Sequence, residues 1–229
     1  MKIPLFLYLT ELLFPRLCVV CGDKLIEQEQ WICLYCLHHI PRTNFHLKPD
    51  NPVAQLFYGR VQIEFATSFF YFSKGSKYQT LLHNLKYKGM KELGEEVGKQ
   101  FGIDLMLSPE FSSVDVICPV PLHPLKEKKR GYNQSWWIAS GIAKQMQKEL
   151  SDNNLKRVTA TETQTRKTRF ERWQNVEGIF ELSHPESFSG KHILLIDDVV
   201  TTGSTLEACA ASIISKTNAR VSIATLATA

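Results

Sequence analysis

Apolar residues along the chain fall into short unbroken runs and longer periodic stripes. Ile193-Leu-Leu-Ile196 is an uninterrupted tetrad, the pattern of a strand whose two faces are both buried in a parallel sheet. Val114-Asp-Val-Ile-Cys-Pro-Val-Pro121 predicts a second strand, ended by its prolines. Gly178–Leu182 and Val221–Leu226 predict two more, while Gly59–Phe65 and Thr67–Phe72 read as a hairpin with a half-buried aromatic run. Leu206, Cys209, Ala210, Ile213 and Ile214 recur at helical spacing behind the tetrad, and Trp136, Ala139, Ala143, Met146 and Leu150 form a comparable stripe. Leu81, Leu82, Leu85 and Tyr87 predict an amphipathic helix ending at Lys88-Gly89, followed by another over roughly 90–107 and preceded by a short one over 5–13. Strands alternating with helices predict an α/β fold, doubly wound around a mostly parallel sheet.

Composition refines this picture only slightly. A chain of 229 residues, 44% apolar and 22% charged, can bury one sizeable core and a small satellite. The net charge of +4 favours anionic ligands without by itself indicating nucleic acid. Glu11 interrupts the apolar start, and Pro15-Arg16-Leu17 offers no small-residue cleavage site. No run reaches the roughly twenty apolar residues of a membrane span, so a cytoplasmic protein is expected.

Cysteine spacing adds chemistry at the N-terminus. Cys18-Val-Val-Cys21 and Cys33-Leu-Tyr-Cys36 are two Cys-x-x-Cys knuckles separated by eleven residues, a spacing that suits four thiolates around one tetrahedral zinc. Two disulfides or a redox pair are the rivals, and neither fits a chain without an export signal. With four thiolates the metal has no open position, so it is expected to be structural. Residues 1–50 are therefore expected to form a small zinc-ribbon-like segment, 41–55 a proline-containing linker, and 55–229 the α/β domain.

At the end of the apolar tetrad stand Asp197 and Asp198, then the hydroxyl-rich turn Thr201-Thr202-Gly203-Ser204-Thr205 and a helix. Ligands of open parallel sheets bind beyond the carboxyl ends of the strands, and a helix N-terminus offers unpaired N–H groups to an anion. The turn suits a phosphate and the carboxylates suit vicinal hydroxyls, which together describe a ribose 5-phosphate. It is not a Walker A loop, because the turn contains no lysine, and no dinucleotide fingerprint occurs. A second anion site is expected at the basic loop Lys126-Glu-Lys-Lys-Arg130-Gly131, where a pyrophosphate fits.

Ile196-Asp-Asp-Val-Val-Thr-Thr-Gly-Ser-Thr205 resembles the phosphoribosyl-pyrophosphate loop of type I phosphoribosyltransferases. The order of the paired knuckles, Leu85-Lys-Tyr-Lys-Gly89, Pro119-Val-Pro-Leu-His123, Arg130-Gly-Tyr-Asn-Gln-Ser135 and that loop is similar to the ComF family of competence proteins across essentially the whole chain. The one departure noted is Tyr132 where phenylalanine is expected. The resemblance implies a zinc-binding segment before a phosphoribosyltransferase-like domain, phosphoribosyl pyrophosphate with Mg²⁺ as ligand, and a role in uptake of transforming DNA. It places the ribose on Asp197 and Asp198, the 5-phosphate on Thr201, Thr202, Gly203, Ser204 and Thr205, and the pyrophosphate on Arg130, Gly131, Asn133 and Gln134. Lys86, Tyr87, Gln164, Arg172 and Asn175 fall on a flap or acceptor side. Three functions follow: a glycosyl transferase with unknown acceptor, a sensor that binds without turnover, or a factor that contacts single-stranded DNA. In the last, the basic loop and the 156–172 tract would meet the backbone, and Trp136 and Trp137, or Trp31 and Tyr35, would stack on bases. Other competence proteins are candidate partners of the zinc segment.

Overall fold

The computed structural model describes residues 14–158 and 179–228. Helices are α1 Leu34–His38, α2 Pro52–Gln55, α3 Gln79–Tyr87, α4 Lys91–Met106, α5 Pro109–Ser112, α6 Pro124–Arg130, α7 Gln134–Met146 and α8 Ser204–Lys216. Strands are β1 Ala66–Tyr71, β2 Val116–Pro119, β3 Glu149–Leu150, β4 Leu155–Arg157, β5 Phe180–Leu182, β6 His192–Val200 and β7 Arg220–Thr228. Five of them form a parallel sheet in the order β1-β7-β6-β2-β3, and β4 and β5 form a separate antiparallel ribbon.

The apolar tetrad lies at the centre of that sheet, and its residues alternate between two cores. Leu194 and Ile196 pack with α4 and α7 on one face, through Val97, Phe101, Ile138 and Ile142. Ile193 and Leu195 pack with α8 on the other, through Leu206, Cys209 and Ile213. Two covered faces explain why Ile193 to Ile196 are all apolar. The α4–α7 contact is close: a Cβ on Gly98 or Gly141 would collide with the backbone of the facing helix.

Leu150, read as the end of a helical stripe, lies in β3, because α7 stops at Met146 with Gln147 in the left-handed region, and three further sequence expectations change. Residues 59–65 form no strand, so there is no hairpin, and β1 instead lies parallel to β7 from Ala66↔Ile223 to Tyr71↔Thr228. Phe69 and Phe70 are both buried, so both faces of β1 are covered. The stretch 41–55 is not a free linker. Thr43 N–H donates to Phe69 O at 3.1 Å, Arg42 reaches Asp104 of α4 at 2.7 Å, and Phe45 and Val53 are buried. Pro52 opens α2, capped by Asn51 Oδ1 accepting from the N–H groups of Val53 and Ala54. Lastly, the basic loop is helical, because Pro124 starts α6, His123 caps it, and its cations sit in the last turn where the helix dipole favours them.

The four-cysteine segment packs on this body. Cys18, Leu25, Ile32, Cys36 and Ile40 share the core that holds Phe70 and Leu81, and Tyr78 Oη donates to Cys36 O at 2.9 Å. The N-terminal helix expected at 5–13 lies outside the described residues.

Candidate functional site

The two aspartates occupy the last turns of β6, where the sheet opens. Ile196 is the last β6 residue that β2 covers, since β2 ends at Pro119. Beyond that point β7 continues on one side to Val200↔Thr228, and the start of α7 replaces β2 on the other. Ser135 Oγ donates to Asp197 Oδ1 at 2.9 Å, and the Asp198 N–H donates to the same oxygen at 2.8 Å. Gln134 Nε2 donates to Asp198 Oδ2 at 3.0 Å, and Lys86 Nζ lies 3.0 Å from that oxygen. Burial, helped by the neighbouring Asp198 carboxylate, pushes the Asp197 carboxyl up to about 7, against the pull of the Asp198 N–H, Ser135 and Lys86. Both acids take partners from the start of α7, Asp197 from Ser135 and Asp198 from Gln134.

The hydroxyl turn follows directly. Thr201, Thr202, Ser204 and Thr205 are exposed, and Thr202 Oγ1 and Ser204 Oγ lie 3.0 Å apart. Gly203 sits at φ +74° before the first turn of α8, and a Cβ there would meet the Phe57 ring at 3.0 Å. From behind, Arg60 Nη1 donates to Thr202 O at 2.8 Å while its other nitrogen pairs with Glu207 of α8. The turn therefore presents four hydroxyls and a helix N-terminus on a fixed backbone.

A basic arm borders the acids. The Arg130 guanidinium donates to Gln134 Oε1 and stands over the Tyr87 ring, 5.8 Å from its centroid. Gln134 thus links Arg130 to Asp198. Tyr132 Oη donates to Leu85 O, tying the arm to α3. Asn133 is engaged within the protein: Oδ1 accepts from Ser135 N–H at 3.1 Å and Nδ2 donates to Val120 O at 2.9 Å. On the outer side, Tyr132, Trp136 and Trp137 line a cavity of about 300 Å³, with Trp136 Nε1 donating to Asp152 at 3.1 Å.

The structure brings together Lys86, Tyr87, Arg130, Gln134, Asp197 and Asp198, with Gly131 and residues 201–205 alongside. Gln164, Arg172 and Asn175 lie outside the described residues, as does most of the 156–172 tract. Sequence reasoning missed Ser135 as a partner of Asp197, although it stands in the Arg130–Ser135 motif. It also missed Arg60 and Phe57 behind the turn. Arg60 carried no signal, since its contacts are with residues far along the chain.

The ligand atoms of Cys18, Cys21, Cys33 and Cys36 all lie within 4.8 Å of one another and could hold a metal ion. All four are free thiols. Cys21 Sγ and Cys33 Sγ are 3.7 Å apart, close to the roughly 3.8 Å that Zn–S bonds of about 2.3 Å give in a tetrahedron. Val20 and Cys33 direct N–H groups at Cys18 Sγ, and Cys36 N–H points at Cys33 Sγ, which stabilises thiolates.

Residues 134–229 match the family model of the phosphoribosyl transferase domain. Competence protein F of Haemophilus influenzae is 36% identical over 93 residues, 40% of this chain and 41% of the relative. DNA utilization protein YhgH of Escherichia coli K12 is 28% identical over 129 residues, 55% of this chain and 56% of the relative. Competence protein ComFC of Bacillus subtilis is 34% identical over 140 residues, 59% of this chain and 52% of the relative. The chain spans about half the length of the curated relatives it matches. Among the described residues, no helix is long and apolar enough to cross a membrane.

Proposed function

We propose that the chain is a phosphoribosyl transferase-like protein of the ComF family, a reading supported by the matched domain and the named relatives, and that it binds phosphoribosyl pyrophosphate at the end of β6. One observation carries this reading: a carboxylate pair, Asp198 buried and Asp197 half-buried, stands directly before an exposed hydroxyl turn that opens a helix, with Arg130 beside it. Asp197 and Asp198 take the ribose hydroxyls. Thr201, Thr202, Gly203, Ser204 and Thr205 take the 5-phosphate, with Arg60 holding the turn in place. Arg130 and Gly131 face the pyrophosphate, and Gln134 keeps Arg130 aligned with Asp198.

The two carboxylates are hard oxygen donors that fit Mg²⁺ carried on the ligand's own oxygens, and the metal would supply neutralisation of the pyrophosphate charge. Departure of pyrophosphate leaves positive charge on the ribose. Asp198 and, once it has lost its proton, Asp197 would stabilise that charge, and Arg130 would stabilise the leaving anion. The four thiolates hold a structural zinc in this account.

The names of the relatives extend the proposal to natural competence, in the uptake and processing of transforming DNA. A second reading, direct contact with single-stranded DNA, is favoured by α6, whose Lys126, Lys128, Lys129 and Arg130 have no buried neighbour within the helix, and by the adjacent tryptophan-lined cavity. The test is calorimetric titration with phosphoribosyl pyrophosphate and Mg²⁺, followed by a pyrophosphate-release assay with bases, nucleotides and single-stranded DNA. Binding with release identifies a transferase, and binding without release a sensor. No binding overturns the proposal. The second reading requires DNA affinity that falls steeply with salt.

A further inference from the structure

Helix α3 is short, and its two ends are fastened to different parts of the chain. At nine residues it falls below the roughly 12–15 at which an isolated helix becomes stable in water, so it depends on what it is attached to. Leu81 and Leu85 are wholly buried and fix its inner face. Its first turn lacks local support, because Tyr78 at the N-cap makes no capping hydrogen bond. The Tyr78 hydroxyl instead donates to Cys36 O at 2.9 Å, and the residue is buried.

The preceding residue points the same way. Lys77 Nζ lies 4.0 Å from Cys36 Sγ and stands over the rings of Tyr35 and Tyr78, 5.4 and 5.2 Å from their centroids. Four thiolates around Zn²⁺ leave a net double negative charge, which this ammonium offsets in part. The start of α3 is thus held to Cys36 twice, at its carbonyl oxygen and at its sulfur.

The other end of α3 is held to the ligand site. Lys86, in the last turn, has its Nζ 3.0 Å from Asp198 Oδ2. Leu85 O accepts from Tyr132 Oη, and two residues on, Gln134 Nε2 donates to the same Asp198 oxygen at 3.0 Å. Where the last turn of α3 lies therefore sets both side chains that meet Asp198 Oδ2. A helix about 13 Å long joins Cys36 to that carboxylate.

We propose that Tyr78 is a positioning residue for the β6 site: by seating α3 on the four-cysteine segment it couples the metal to the phosphoribosyl ligand, so that each tightens the other. This rests on the phosphoribosyl pyrophosphate reading of the β6 site. With the thiolates gathered on a metal, Cys36 holds the uncapped first turn of α3, and Lys86 and Gln134 meet Asp198 in one arrangement. With the metal gone, Cys36 is released, the first turn loses its anchor, and the ligand must restore the order itself. Binding linkage makes the effect reciprocal.

The experiment is competition for zinc by a chromophoric chelator on the full chain, in Mg²⁺ alone and in Mg²⁺ with saturating phosphoribosyl pyrophosphate. It compares the natural protein with Tyr78→Phe, which keeps the ring and removes only the hydroxyl. The ligand is expected to tighten zinc about fivefold in the natural protein, the low end of typical coupling, and less than about twofold in the variant. Zinc affinity unchanged by a ligand that calorimetry shows to be bound, or equal tightening in both proteins, overturns the coupling. If phosphoribosyl pyrophosphate does not bind, the reading of the β6 site fails, and a cycle without ligand decides the coupling on its own. In that cycle Lys86→Met should weaken zinc about threefold in the natural protein and leave it unchanged in Tyr78→Phe. No effect in the natural protein, or equal effects in both backgrounds, overturns it.

Discussion

Lys86 Nζ on α3 stands 3.0 Å from Asp198 Oδ2 on β6, and this pair joins the helix to the strand that carries the acids. Asp198 is 7% exposed, so its charge depends on that ammonium and on Gln134. Lys86→Met should cost about 1–2 kcal/mol, less than a fully buried pair because Lys86 is partly exposed, and lower the melting temperature by roughly 2–8 °C. Thermal unfolding of the variant checks this, and an unchanged or higher midpoint would show that the pair does not stabilise the site.

Gly203 is held at φ +74° with Phe57 behind it. Gly203→Ala should cost about 1–2 kcal/mol from the left-handed backbone, with further loss from contact with the ring. The turn should also shift, so binding of the 5-phosphate weakens more than that of a ribose lacking it. Comparing the affinities of ribose 5-phosphate and ribose for both proteins tests the second part, and equal losses for the two ligands would refute it.

Asp197 gives a pH dependence of defined sign. Its carboxyl is raised from 3.8 to about 7 by burial and by Asp198, so the native state keeps a proton that the unfolded state has already lost. The stability it contributes is complete below the unfolded value and is lost as pH rises through about 7. Asp197→Asn removes this term, so the variant should gain on the natural protein between pH 5 and pH 8. Urea unfolding midpoints at both pH values measure it; parallel pH profiles would mean that Asp197 is not held protonated.

Much of the central architecture was legible locally. The alternation of Ile193–Ile196 between two cores follows from an unbroken apolar run, and the thiolate cluster follows from the Cys-x-x-Cys spacing. The stripe behind Gly203 became α8 for the same reason. What local pattern could not show was partnership across the chain. Gly59–Phe65 alternates like a strand, yet β7 offers a parallel edge to β1 and leaves no hairpin partner. Thr43, Phe45 and Val53 sit in a proline-containing stretch that reads as a linker until the groups that β1 and α4 offer are in view. The basic run 126–130 reads as a loop because its helix buries nothing. Arg60 and the Lys86–Asp198 pair depend on contacts between distant residues, which no spacing rule registers.

Metal removal should be felt beyond the cysteines. Cys18, Leu25, Ile32, Cys36 and Ile40 share a core with Phe70 and Leu81, so loss of a structural zinc should lower the stability of the whole chain. The protein as isolated is expected to contain about one zinc per chain by elemental analysis, and Cys33→Ser far less. Chelation should shift the main thermal transition downward. Full stability without metal would contradict a structural zinc.

Calorimetric titration of phosphoribosyl pyrophosphate with Mg²⁺ into the natural protein and into Asp198→Asn tests whether the carboxylate pair at the end of β6 holds a phosphoribosyl ligand. Saturable binding is expected to the first, weakened in the variant by about 1.5–3 kcal/mol, the range for a hydrogen bond to a charged group. Binding of equal strength in both, or none to the natural protein, would contradict it.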